Sequence, residues 1–236
     1  MDAPTAFDAR NAADGAYLTT AQLIGLLDTG TCSARDGSMP DDGNRFTLRR
    51  VQRGEPLVRA GDPFESLYVV RSGFFKTVML DRYGCEQVIG FPIQGDLIGA
   101  DGLAEGNYTV EPIALEQSEV VIVPFGRVQA LAQASPVLER ALYRAVSREL
   151  VRDQGTQWML GTLGAEARVA AFLLGLAERY GRLGYSRRAF NLRMTRAELG
   201  STDGKSLWRP AALGYRPTYE SAAMQTYLRG AFIGHK

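Results

Sequence analysis

Apolar positions along this chain follow two different periods, and the change falls near residue 135. From Phe46 to Phe125, short apolar runs alternate with turns. The runs are Leu67-Tyr68-Val69-Val70, Phe74 to Leu80, Gln87 to Phe91, Ile113-Ala114-Leu115 and Val120 to Val123. Gly54, Gly61, Gly73, Gly84, Gly95, Gly99 and Gly102 punctuate them. Turn signals at a spacing of roughly 8–12 residues predict a compact antiparallel barrel or sandwich.

Beyond Ser135 the period is helical. Ser135 stands where an N-cap belongs, with Pro136 at the first helical position. Leu138, Leu142, Val146 and Leu150 then recur every fourth residue and predict an apolar stripe, while Arg144, Arg148 and Arg152 line another face. The helix is expected to run to about residue 161. A helix that long, linking two parts of a chain, suits packing against a second copy of itself better than packing on its own barrel. Another helix is expected from about Ala165 to Arg182, with Val169, Phe172, Leu173 and Leu176 inward. Phe190 to Met194 reads as a short extended piece. Thr195-Arg196-Ala197-Glu198 has the Thr-x-x-Glu form of a capping box and opens a further helix. Upstream, Thr19 to Leu27 reads as a short helix capped by Thr19 or Thr20, and Asp28 to Asn44 as loop.

Charge sharpens this division. The 236 residues carry a net charge of only +1. Residues 1–134 hold 11 basic and 18 acidic side chains (-7), and residues 135–236 hold 16 basic and 8 acidic (+8). The C-terminal part is therefore suited to a polyanion. No apolar run approaches the ~18 residues of a membrane-spanning helix. The first twenty residues lack a basic-then-apolar signal pattern. With two cysteines and no disulfide framework, a cytoplasmic location is expected and no membrane partner. The single histidine, His235, argues against histidine-based catalysis or metal binding.

Arg59-Ala60-Gly61-Asp62-Pro63, Leu67 to Gly73, Gly90-Phe91, Gly95-Asp96-Leu97-Ile98-Gly99, Val123-Pro124-Phe125 and Leu192-Arg193-Met194-Thr195-Arg196 occur in that order. As a set over about residues 30–200 they resemble the Crp/Fnr family of bacterial transcription regulators, in its Fnr-like, oxygen-responsive branch. The resemblance implies an α+β fold in four parts. These are an N-terminal arm (1–44), a jelly-roll-type, cyclic-nucleotide-binding-like β-roll (45–133), a dimerisation helix (134–161) and a winged helix-turn-helix (162–236). It implies a homodimer placing two reading heads one turn apart on palindromic double-stranded DNA, with RNA polymerase as a further partner. Dimerisation would fall to Leu138, Leu142, Val146 and Leu150, so that Leu142→Glu should give monomers. Thr195 and Arg196 would lie near phosphate, with Lys205, Ser206 and Arg209 following in the DNA-binding set, and Cys32 would serve any redox sensing.

The chain departs from that pattern in three places. An iron–sulfur cluster needs about four thiolates, whereas this sequence offers Cys32 and Cys85 alone, and its roll position before Val-Pro-Phe is Val121. No cluster is expected. The stretch that would grip a cyclic nucleotide's phosphate reads Glu105-Gly106-Asn107-Tyr108-Thr109-Val110 and has no arginine, so cyclic AMP binding is not expected either. After Gly200, Gly204 and Pro210 bracket too few residues to fill a major groove. Read with each codon's last base joined to the next codon's first two, Met224-Gln225 forces an alanine and Pro217 to Glu220 permits Tyr-Val-Arg, an ending similar to the family's. That points to a shifted coding frame near codon 200.

Three functions follow from these readings. The first is a DNA-binding regulator responsive to oxygen or redox state. The second is a dimeric sensor module that has lost DNA reading. An enzyme is the third, but no Gly-x-Gly-x-x-Gly loop, Gly-x-Ser-x-Gly elbow or histidine pair supports it.

Overall fold

The computed structural model describes residues 17–30, 42–80 and 86–194. Strand β1 (Tyr17–Thr19) leads into helix α1 (Thr20–Thr29). Strands β2 (Arg45–Val51), β3 (Ser66–Ser72), β4 (Phe75–Leu80), β5 (Glu86–Gly90) and β6 (Leu97–Ile98) follow. A single turn of helix, α2 (Gly102–Glu105), precedes β7 (Glu111–Ala114) and β8 (Ser118–Pro124). Helices α3 (Phe125–Ala134), α4 (Pro136–Thr162) and α5 (Ala165–Arg182) complete the described chain.

The strands form two antiparallel sheets, one in the order β1-β2-β8-β3-β6 and the other β5-β4-β7. Each apolar run named from the sequence falls on a strand, apart from the end residues Phe74, Phe91 and Leu115, which lie just outside β4, β5 and β7, and the expected antiparallel roll is found. A single alternation explains why β3 and β8 read as continuous apolar runs. Leu67 and Val69 on β3, with Val121 and Val123 on β8, enter a core shared with α1, α3 and α4. Tyr68 and Val70, with Val120 and Ile122, face the roll interior, where Phe75 and Ala114 arrive from the second sheet. Strands buried on both faces have no polar face to display.

The helices obey their caps. Thr19 caps α1 as a reciprocal box: the Gln22 amide donates to Thr19 Oγ1 at 3.2 Å, and the Thr19 amide to Gln22 Oε1 at 3.0 Å. Gly30 closes α1 in the left-handed conformation (φ 72°). Pro136 opens α4 and the Leu138 amide reaches Ser135 Oγ at 3.4 Å. Helix α3 has no strong signal in the sequence, because its alanine-rich turns hold one buried side chain, Val128. A strand at Leu97–Ile98 is not expected from the sequence either. Phe190 to Met194 is not strand-paired among the described residues. By internal contacts the chain divides into two compact units, residues 1–151 and 152–236.

Candidate functional site

Two places in the first unit could carry function. One is the roll interior beneath α2, the other the free face of α4.

Beneath α2 the chain's own aromatic rings fill the space. The Tyr108 ring packs against Phe64 (centroids 5.6 Å, edge-on) and Tyr68 (6.4 Å). Its hydroxyl donates to the Ser66 carbonyl at 2.7 Å and accepts from the Ser66 amide at 3.2 Å. A Cβ added at Gly99 would lie 3.1 Å from that ring, and one at Gly102 would lie 2.6 Å from Phe64. Close approach thus favours glycine at 102, and at 99 a φ of +90° adds to a tight contact. Burial, and then the neighbouring Tyr108, push the Tyr68 phenol far above its ordinary range, so it stays a neutral hydrogen-bonding group. On the rim, Thr109 gives both its amide (2.6 Å) and its hydroxyl (2.9 Å) to Asp101 Oδ2.

A phosphate here would meet the carboxylates of Asp101 and Glu105. Residues 99–110 contain no cation, and the hydroxyls of Tyr108 and Thr109 are already engaged. These residues do not fit a cyclic nucleotide's anionic group. Removing the hydroxyl, Tyr108→Phe, strands the buried Ser66 amide and carbonyl. It is expected to cost about 1–3 kcal/mol in urea unfolding; an unchanged midpoint would contradict this packing.

Cys32, Cys85, Thr195, Arg196, Lys205, Ser206 and Arg209 lie outside the described residues. Among the described residues no group of three or more His, Cys, Asp or Glu is placed to hold a metal. The roll position that the family likeness assigns to a cluster ligand is Val121. It is fully buried on β8, paired with Leu48 on β2 and Val69 on β3. With two cysteines in the whole chain, the residues do not fit a four-thiolate cluster.

Helix α4 separates the four residues of the sequence stripe. Leu138 is fully buried among α1, α3 and the roll, together with Ala141 and Ala145, and Leu142 is half-buried against the same core. Val146 is 37% exposed and Leu150 57% exposed. The reason is geometric. A step of four residues overshoots one turn of a 3.6-residue helix by about 40°, so three steps rotate the stripe by about 120°. Its first half belongs to this chain's own core and its second half faces outward. Outward apolar residues of α4 are Val137, Tyr143, Val146, Leu150, Val151 and Trp158; Tyr143, Val146 and Leu150, exposed by 66%, 37% and 57%, continue the stripe. Their spacing of three and then four is that of a coiled-coil seam. Because Leu142 touches the core, Leu142→Glu would test folding as much as association.

The basic line on α4 also has a partner. Arg148 donates to the Leu27 carbonyl and Arg144 Nη1 lies 3.6 Å from Asp28 Oδ1, so α4 caps the C-terminal end of α1 with two cations. Gln94 Nε2 holds the Gly30 carbonyl at 2.7 Å from the roll side. Arginines four residues apart, reaching a helix end, were visible in the sequence only as a charged face.

Comparison with known proteins agrees with this architecture. Residues 48–135 match the family model described as cyclic nucleotide-binding domain. The chain is 38% identical over 158 residues to the transcriptional regulatory protein Btr of Bordetella pertussis, covering 67% of this chain and 65% of that protein. It is 40% identical over 153 residues to the transcriptional activator protein Anr of Pseudomonas protegens (65% of this chain, 63% of that one). To the fumarate and nitrate reduction regulatory protein of Escherichia coli K12 it is 38% identical over 151 residues (64% and 60%). The chain thus spans less than two thirds of the length of these curated relatives. In fold it is similar to FixK2 from Bradyrhizobium japonicum, with a TM-score of 0.58 and 22% identity, covering 80% of this chain and 86% of that one. It is likewise similar to the c-di-GMP responsive regulator CLP of Xanthomonas campestris (TM-score 0.55, 23% identity, 81% and 90% covered). By its roll, its order of helices and these relatives, the chain belongs to the Crp/Fnr family of transcription regulators.

Proposed function

We propose that this protein is a DNA-binding transcription regulator that works as a homodimer, joined along α4, on palindromic promoter sites. It would act beside RNA polymerase and respond to oxygen or redox state through its N-terminal arm, where Cys32 stands. The observation that carries the reading is the outward seam Tyr143, Val146 and Leu150 on α4, beside a C-terminal part of charge +8. Two seams placed together would join two copies and hold two basic parts side by side. Thr195 and Arg196 would contact phosphate at the opening of the helix-turn-helix, followed by Lys205, Ser206 and Arg209. The signal would act by shifting the pair of α4 helices and so the spacing of the reading heads.

Retention on a promoter-type duplex tests the reading. Specific binding at moderate salt, weakening steeply as salt rises, is the expected result. A dimer that fails to retain duplex DNA would favour the sensor module without DNA reading, for which the altered tail after residue 200 speaks.

A further inference from the structure

From Arg179 to Arg193 the chain holds five arginines and no acidic residue. The loop that leaves α5 is fixed in place by its own contacts. The Tyr185 amide returns to the Tyr180 carbonyl at 2.9 Å and the Gly184 amide to Gly181 at 3.2 Å. The Tyr180 ring packs against Tyr185 (5.9 Å, edge-on) on one hand and Phe190 (5.2 Å) on the other. Ser186 Oγ accepts from the amides of Arg188 (3.2 Å) and Ala189 (3.1 Å). The Arg187 stem lies across the end of α5, where a Cβ on Gly181 would come within 2.1 Å of Nε. The loop leaves the side chains of Arg182, Arg187 and Arg188 exposed.

We propose that Arg182, Arg187 and Arg188 form a backbone-binding face that neutralises phosphates of duplex DNA without reading sequence. The inference rests on the proposed DNA-binding function and adds a contact surface outside the helix-turn-helix set. A unipolar cluster with no acid interleaved matches the unbroken negative charge of a phosphate backbone. A protein partner would ordinarily meet an apolar centre, and Tyr185 is the one large apolar side chain exposed on the described part of this loop. A backbone held by its own contacts presents these arginines with little further cost of ordering the loop.

The test uses the full chain and a labelled duplex of arbitrary sequence, with binding followed by anisotropy as potassium chloride rises from about 50 to about 200 mM. The triple variant Arg182→Gln, Arg187→Gln, Arg188→Gln should lower the log–log salt slope by about two to three, at ~0.9 per lost phosphate contact, and weaken binding alike on every sequence. Lysine at the same three positions should keep the slope. Matching circular dichroism spectra would show both variants folded. If wild-type chain binds but the glutamine variant keeps its slope, the face does not bind phosphate and an acidic protein surface becomes its partner. If the lysine variant loses the slope as well, the phosphate assignment is overturned. If wild-type chain does not bind duplex at all, the proposed function falls together with this inference.

Discussion

Gly73→Ala is expected to cost about 4–6 kcal/mol, a large part of the stability of a domain this size. Gly73 sits between β3 and β4 with φ at +99°, where an L side chain is strained by about 1 kcal/mol. Space is the larger obstacle. A Cβ there would fall 2.1 Å from Ser118 Oγ, 2.5 Å from its Cβ and 2.7 Å from its Cα. A rotamer change can move the hydroxyl but not the Cα, so the chain segments must separate, at about 1–3 kcal/mol. The displaced hydroxyl also gives up its bonds to the Phe74 amide (3.3 Å) and the Glu116 carbonyl (2.9 Å), each worth about 1 kcal/mol. Urea unfolding of the variant gives the answer directly. A loss under about 1 kcal/mol would mean that the contact yields easily. Pairing it with Ser118→Gly should recover only part of the loss, since the backbone overlap persists.

Leu150→Glu should raise the dimer dissociation constant by about a hundredfold or more, equivalent to ~3 kcal/mol, while leaving the unfolding midpoint of dilute protein near its original value. Leu150 is 57% exposed in the single chain, so little folding energy depends on it. In a paired seam, by contrast, the glutamates of two copies would face each other in an apolar groove. Leu138→Ala is the necessary contrast. Leu138 is fully buried, and truncating it should cost about 2–5 kcal/mol of stability. Sedimentation at graded concentrations separates the two variants. If Leu150→Glu sediments like the parent chain, α4 does not mediate the association.

The sequence announced those elements whose local signals and burial agree. The short apolar runs of the roll with their glycine turns, the Ser135-Pro136 opening of α4 and the extent of α5 all followed from residue patterns. What escaped it was decided by partners distant in the chain. Leu138 and Leu150 have the same chemistry and the same spacing rule, yet α1 and α3 cover one and leave the other outside. Nothing local distinguishes them except the slow rotation of a four-residue repeat. Tyr108 likewise stood in a stretch notable for lacking an arginine. Its role in closing the roll interior depends on Phe64 and Ser66, more than forty residues earlier. The DNA-binding residues expected after Met194 lie beyond the described structure, and there motif and charge carry the argument alone.

The double-sided burial of β3 and β8 has a consequence for how their pairing is chosen. In a sheet with one wet face, a slip of one residue would drive apolar side chains into water, and that penalty selects the alignment. Here Leu67 and Val69 would merely trade sides with Tyr68 and Val70, one greasy wall for another. The apolar residues supply cohesion but hold almost no address. The address is written in the polar atoms at the strand ends: Ser66 bonded twice to Tyr108, Arg71 to Glu119 at 2.5 Å, and Ser118 fitted against a bare glycine. These few groups tell two otherwise interchangeable surfaces which one is the inside.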